Sequence, residues 1–466
     1  MNATDFLCLA PLIILAAGPI IIMIGTTVRR NFSLTYFFTF AVFTASLVSL
    51  FVIRPYLPHN FIPLLTFDNF GLLFLGIIYA ASILITSLSY EYLRIQFGER
   101  EEYFIILLVA ALGASVLVLA NHFITFFLGL EILSISLYVL TAYLKWRNSC
   151  VEAGVKFAIF SSLASAFMLF GMGLIYALTG TMSFNELALA GSGLTSPVFI
   201  TGILMILVAI GFKLALVPFH MWTADVYQGA PMPVTAFIAT VSKGSVLALA
   251  LRLFSSGADS KVMITVISVI AVASMFTGNL LALNQNNTKR LLAYSSIAHL
   301  GYLSITLVAG RQGIGAAIFY LAAYTITTVG AFSVLSALSV CERDADSVKD
   351  IRGLFHRNPW LAIVMTLSLL SLAGIPLTAG FMSKFYLVLE GARAGFWVLA
   401  VSLVVNSAIS LYYYLRLIRE MFTETVPFAG IKVSSRMNLV LAIVFAGILL
   451  LGIMPSFLLR MISSML

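Results

Sequence analysis

The 466-residue chain is 61% hydrophobic and only 9% charged, with a formal net charge of +8 and a mean hydropathy of +1.07. Soluble domains carry about 25% charged residues, and a soluble core cannot absorb repeated apolar runs of about 20 residues. The composition therefore predicts an all-α polytopic membrane protein, and the basic excess sits mostly in short loops rather than in a patch suited to nucleic acid.

About fourteen spans are predicted, near 5–28, 33–53, 70–90, 102–120, 122–143, 152–178, 198–220, 231–254, 262–282, 288–309, 313–340, 360–389, 396–418 and 437–458. The first run has neither a charged segment before it nor a small-residue cleavage site after it, so it reads as a retained span. Only a tight turn near Asn121 separates the fourth span from the fifth. Lysine and arginine divide roughly 17 to 6 between the two sets of loops, which places both termini on the non-cytoplasmic side. Lys289 and Arg252 are counted there as loop charges, on opposite sides. The longest loop on the basic side, Cys341 to Asn358, is charged and expected to be partly helical. Cys8, Cys150 and Cys341 form no metal or disulfide spacing.

Two spans carry breaks. The seventh is interrupted at Pro218, and the twelfth at Ala373-Gly374-Ile375-Pro376. Such breaks free backbone carbonyls, which is tolerated where they line a cavity. The broken spans are five apart, and a five-span unit must insert upside-down in its second copy. The expected organisation is one membrane domain over 1–466: N-terminal spans to about 100, a five-helix repeat over 101–256, an inverted repeat over 261–420, and a C-terminal span in 421–466.

Ionisable residues inside these spans are the functional candidates. Glu131 lies about ten residues from either end of its span, near the midplane. Lys243 lies roughly 15 Å deep at 1.5 Å per residue, where a charge costs about 2.5–3.5 kcal/mol to insert. Lys213 precedes the Pro218 break, and Lys384 follows the second break. Both lysines have an alternative as anchors that snorkel to an interface. His299 suits proton hand-over near neutrality, although a lone histidine is often a packed core residue. His220 follows Pro218 and could face the cytoplasm or serve only packing. Thr240, Ser242, Ser295, Ser296 and Tyr302 can bridge water chains, but each singly reads as helix packing. Burial disfavours a charged lysine and a nearby carboxylate favours it, so a Glu131–Lys213 pair whose members approach or withdraw makes a switchable proton site. One acid, three lysines and a histidine in five spans suit proton relay. They form no carboxylate cluster for a hard cation, and the chain has no phosphate-binding or dinucleotide fingerprint.

The segments GFKLALVPFHMWTADVYQGAPMPVTAFIATVSK, QNNTKRLLAYSSIAHLGY and SLAGIPLTAGFMSKFYLVLE closely resemble the antiporter-like subunits of respiratory complex I, NADH-quinone oxidoreductase. The resemblance covers nearly the whole chain and is densest from about residue 100 to 420. VYQGAP after the seventh span, and Lys384 where the M-type subunit has an acid, favour the N type. The resemblance implies fourteen spans with two inverted five-helix repeats, each with a broken helix. It implies a relay in which Glu131 is the acid of the fifth span and Lys213 its partner. Lys243 is then the central lysine, His299 a polar axis residue and Lys384 the residue opening the outer half-channel. It also implies no cofactor in this chain, partnership with other membrane subunits including sister antiporter-like subunits, contact with membrane lipid, no nucleic acid, and quinone only through the assembly. The expected location is the inner (plasma) membrane. Ala224 departs from the family, where proline is frequent, and this puts a local turn in question.

The function expected is proton translocation coupled to quinone reduction elsewhere in an assembly. The alternatives are a proton or sodium/proton antiporter subunit of a multisubunit antiporter or membrane-bound hydrogenase, a spacer that pumps nothing, and a transporter acting alone; fold alone does not separate the first two.

Overall fold

Hydrocarbon offers the backbone no hydrogen-bond partner, so apolar runs of bilayer length fold as helices. In the computed structural model, residues 3–96, 100–189, 196–255, 261–339, 343–423 and 430–465 are described; Cys341 lies outside them. The chain opens with α1 (Ala3–Val28), α2 (Phe32–Ile53) and α3 (Asn69–Gln96). A short antiparallel hairpin, β1 (His59–Phe61) and β2 (Leu65–Phe67), joins the last two, with Asn60 opposite Thr66. The sequence reading had missed it.

Next come α4 (Glu102–Leu119), α5 (Phe123–Thr141), α6 (Asn148–Thr179), the short α7 (Phe184–Leu189), α8 (Pro197–Leu214), α9 (Met221–Gly229), α10 (Met232–Phe237) and α11 (Lys243–Ser255). A π-helical turn over Ile238–Ser242 joins α10 to α11. The remainder comprises α12 (Lys261–Leu283), α13 (Thr288–Ala309), α14 (Ile314–Leu338), α15 (Leu354–Arg357), α16 (Pro359–Ala373), α17 (Ala379–Arg393), α18 (Trp397–Phe422), α19 (Ser435–Ile453) and α20 (Pro455–Met465). α15 supplies the expected helical part of the long loop.

Helix starts are written into the loops. Asn31, Asn287 and Asn358 accept backbone N–H bonds from Leu34, Arg290 and Leu361, and Ser196 precedes Pro197 at the first position of α8. Among the described residues, twelve stretches are long and apolar enough to cross a membrane, and one of them, Thr288–Leu338, contains both α13 and α14. The protein is therefore a multi-pass membrane protein. Pro359–Ala373 is apolar but short, because the twelfth predicted span is two half-helices, α16 and α17.

The seventh predicted span ends at Leu214, six residues before its expected limit, because Ala215 turns left-handed at φ 60°. Ala215 N–H donates to Phe212 O and Leu216 N–H to Gly211 O. At the second break Gly374, at φ 86°, donates to Ser371 O, and Ile375 N–H to Leu370 O. The two breaks thus use one termination motif, which satisfies two carbonyls near the end of each half-helix.

Close helix contacts also recur. A Cβ on Gly113 of α4 would lie 2.5 Å from Leu133 N of α5, and one on Gly278 of α12 would lie 2.7 Å from Ala298 N of α13. Only glycine lets these backbones approach so closely. The centre of the molecule is α10–α11, buried throughout 232–254, whereas most residues of α6 are not buried.

Candidate functional site

The ammonium groups of Lys213, Lys243 and Lys384 belong to residues 3%, 1% and 6% exposed, so none of these side chains reaches an interface. Lys213 sits in the last turn of α8. It donates to Ser134 Oγ of α5 at 2.5 Å and to Ser161 Oγ of α6 at 2.7 Å. The rings of Tyr138, Phe157 and Phe212 surround it, with centroids 5.2 to 5.7 Å from its nitrogen. Glu131, one turn from Ser134 on α5, is only half-buried and accepts a bond from Ser165 Oγ of α6 at 2.5 Å.

The structure does not join Glu131 to Lys213 in a direct ion pair. Lys213 instead bonds Ser134 and Ser161, which lie one helical turn from Glu131 and from its partner Ser165 respectively. Serine hydroxyls of α5 and α6 thus take the hydrogen bonds of both charged groups.

The break beyond Lys213 is itself held. Trp222 Nε1 donates to Phe212 O at 2.9 Å, and Val217 N–H donates to Ser274 Oγ of α12 at 2.9 Å. His220 lies in the break, buried, with Nδ1 lacking a hydrogen-bond partner among the described residues. α9 runs unbroken through the buried Ala224, so the segment in question is a continuous helix.

Lys243 opens α11 directly after the π-helical turn and donates to Ser296 Oγ of α13 at 2.6 Å. Tyr324 of α14 also donates to Ser296, at 2.8 Å. Ser296, His299 and Tyr302 follow at three-residue intervals on α13, with Ser295 four residues before His299. His299 Nδ1 lies 2.6 Å from Tyr320 Oη, and Nε2 lies 3.4 Å from Tyr414 Oη, which in turn meets Ser295. The rings of Tyr324 and Tyr302 stand 5.3 and 5.5 Å from the imidazole.

The same Tyr302 ring lies 5.4 Å from the Lys384 ammonium. Lys384 reaches back across the second break to donate to Ala373 O at 2.8 Å and to Ser407 Oγ of α18 at 2.9 Å. A carbonyl freed by the break thus holds the lysine. The Tyr302 hydroxyl accepts from Asn279 Nδ2 at 3.0 Å, and Asn279 also donates to Asn406 and accepts from Tyr413.

The structure therefore gathers Lys243, His299 and Lys384 on one polar line. It sets Lys213 and Glu131 in a second group, with no side-chain hydrogen bond among the described residues connecting Lys213 to Lys243. Of the small polar candidates, Ser295, Ser296 and Tyr302 belong to the line. Thr240 does not, since it donates to Ala236 O of its own helix. Ser134, Ser161, Ser165, Tyr320, Tyr324, Tyr414 and Ser407 were missed. The one-turn spacing of Ser134 from Glu131, and of Ser161 from Ser165, was the readable signal.

A second charged group lies at the basic-side ends of the helices. Asp344 accepts from Tyr92 Oη at 2.6 Å, Arg147 Nη1 at 3.0 Å and Lys289 Nζ at 3.0 Å. Lys289 also donates to Ala230 O at 2.5 Å. Lys289 is thus no loop charge but a wholly buried one, covered because Thr288 N–H donates to Asp346 O of the folded loop. Burial pushes the Asp344 carboxyl up, yet Lys289, Tyr92 and Arg147 outweigh it and hold it below its ordinary value. Nearby, Asp225 of α9 pairs with Arg290 at 2.7 Å and with Lys156 at 3.2 Å. On the other side Arg252 forks onto both oxygens of Asp68 at 2.9 Å.

The model of the family described as "NADH:quinone oxidoreductase/Mrp antiporter, TM" matches residues 120–410. The chain belongs to this family. It is 45% identical over 429 residues to NADH-quinone oxidoreductase subunit N of Methylococcus capsulatus, a match covering 90% of this chain and 87% of that protein. A chain of respiratory complex I from Thermus thermophilus, solved with bound aureothin, superposes with TM-score 0.86 at 32% identity, covering 97% of this chain and 98% of that one. A chain of the Mrp complex from Dietzia sp. superposes with TM-score 0.88 at 21% identity, covering 100% and 97%, and so shares the fold. The match of the family model spans every relay candidate, from Glu131 to Lys384, and both breaks.

Proposed function

We propose that this chain is a proton-translocating, antiporter-like membrane subunit of an NADH-quinone oxidoreductase, working beside other membrane subunits. The observation that carries the reading is the line Lys243–Ser296–Tyr324–His299–Tyr302–Lys384. It is buried: Ser296 joins Lys243 to Tyr324 by hydrogen bonds, and ring contacts continue from Tyr324 through His299 and Tyr302 to Lys384, with no ion pair to a carboxylate among the described residues, inside a fold matched end to end by a complex I chain. A proton enters by the broken α8 region, passes Lys213, Lys243, His299 and Lys384, and leaves on the other face. Glu131 sets the charge state of Lys213 through the serine layer. Its half-exposed position also suits response to a neighbouring subunit.

In this reading the chain crosses the membrane fourteen times. Thr288–Leu338 contributes two crossings, and α16–α17 together contribute one. Residues 101–256 and 261–420 are inverted repeats within the single domain. The matching breaks and the glycine contacts of α4–α5 and α12–α13 support that pairing. The host membrane is the plasma membrane, with both termini outside the cytoplasm. Redox chemistry and quinone belong to other subunits, and this chain carries no redox centre.

Purification from the native membrane tests the assignment. Flavin and iron–sulfur proteins should accompany the chain; antiporter subunits alone would overturn it. Translocation that requires sodium in vesicles would favour the antiporter alternative.

A further inference from the structure

A groove of about 840 Å³ opens on the lateral surface where α4, α5 and α6 meet on the basic side. Cavities of this size hold ligands larger than water. Its rim carries three cations, Arg30, Arg100 and Lys145, and one acid, Glu102. Glu102 is matched by Arg30 at 2.9 Å, so the rim keeps an excess of positive charge. Arg100 is set in place against the Trp146 ring, 4.9 Å from its centroid. The rim lies where α4 begins, α5 ends and α6 begins, which is headgroup level for these spans.

Below the rim the wall is apolar. Val151, Val155 and Ala158 line it, and Ala158 lies ten residues into α6, roughly 15 Å deeper. Val139 and Val155 are exposed on this chain, so the groove is open at its side. Gly154 forms the floor, where a Cβ would come 2.7 Å from that of Ala142.

We infer that this groove binds one anionic phospholipid, with its phosphate among Arg100, Lys145 and Arg30 and an acyl chain along α5 and α6. A cationic rim above an apolar trough is complementary to an anionic amphiphile, and a free anion would leave the trough unfilled. Tyr138 forms the inner wall, and its ring faces the Lys213 ammonium on its far side. The lipid therefore sits one ring from Lys213. That proximity bears on pumping only if Lys213 relays protons; the binding does not rest on it.

The test uses the assembled complex in phosphatidylcholine nanodiscs, with a phosphatidylglycerol probe carrying a diazirine on its acyl chain. Peptide mapping should place the label on residues 139 to 158. Unlabelled phosphatidylglycerol should compete, whereas phosphatidylcholine and inorganic phosphate should not. Arg100→Gln with Lys145→Gln should weaken labelling about thirtyfold, the effect of two near-surface cations, and Arg100→Lys with Lys145→Arg should restore it. If the neutral variant does not assemble, the competition on the unaltered complex decides. The inference is overturned by no label in this segment, by equal labelling from a phosphatidylcholine probe, by displacement with inorganic phosphate, or by crosslinks from the groove to a protein neighbour only.

Discussion

Asp344→Asn keeps the shape of the side chain and removes its charge. In the native protein that carboxylate meets two cations at 3.0 Å and a phenol at 2.6 Å, and one of the cations, Lys289, is completely buried. At an effective dielectric of 20, each ion pair is worth roughly 4 kcal/mol at 4 Å before desolvation is subtracted. Once the negative charge is gone, Lys289 has only neutral acceptors, the Ala230 carbonyl and an amide oxygen at position 344. Breaking a buried pair by deleting one charge costs about 3–5 kcal/mol, mostly from the cation left behind.

The assay is the thermal inactivation midpoint of the purified assembly, because large membrane assemblies unfold irreversibly. Adding Lys289→Met should recover most of the loss, since the stranded charge goes with it. The pH dependence has a definite sign. The folded carboxyl is held below its ordinary value, so its stabilisation is present above the unfolded value, about 3.9, and is lost as pH falls through the folded one. The difference between parent and Asp344→Asn should therefore shrink below about pH 4. A single variant as stable as the parent, or a double variant no better than the single, would refute this account of the cluster.

Gly380→Ala places a Cβ 1.7 Å from Ser371 O, so the second break cannot close as it is. The variant should fail to accumulate in the membrane, as measured by immunoblot against an Ala379→Gly control. Ser134→Ala with Ser161→Ala removes both hydroxyls from Lys213. Proton translocation per quinone reduced should fall while assembly on native gels holds, and restoring one serine should give an intermediate value. Tyr324→Phe removes one bond to Ser296, worth about 1 kcal/mol, so translocation should slow about fivefold without being abolished.

The sequence disclosed the span positions because helix period, caps and bilayer length all act locally. Asn287 and Asn358, for instance, announce the starts of α13 and α16 before any tertiary contact is known. The breaks were equally plain from Pro218 and from Gly374-Ile375-Pro376. Lys243 and Lys384 stood out because a charge in an apolar run needs a reason. Less legible was whatever depends on which helix faces which. Lys289 looked like an orienting loop charge, and only the loop folding back through Asp344 and Asp346 buries it. Likewise, Glu131 and Lys213 read as a switchable pair, but the serines that hold them, Ser165 for Glu131 and Ser134 and Ser161 for Lys213, depend on how α5, α6 and α8 face one another. The π-helical turn before Lys243 follows from tertiary packing, and no residue in IATVS marks it in advance.

The central claim is that protons move along the buried lysine line. It is tested most directly by the proton-to-quinone ratio of the assembled complex in sealed vesicles, comparing Lys243→Ala with Arg311→Ala, an exposed arginine at the α13–α14 turn. The account predicts a marked fall in the ratio for Lys243→Ala and an unchanged ratio for Arg311→Ala. Equal ratios in the two variants, with both assembled, would contradict it.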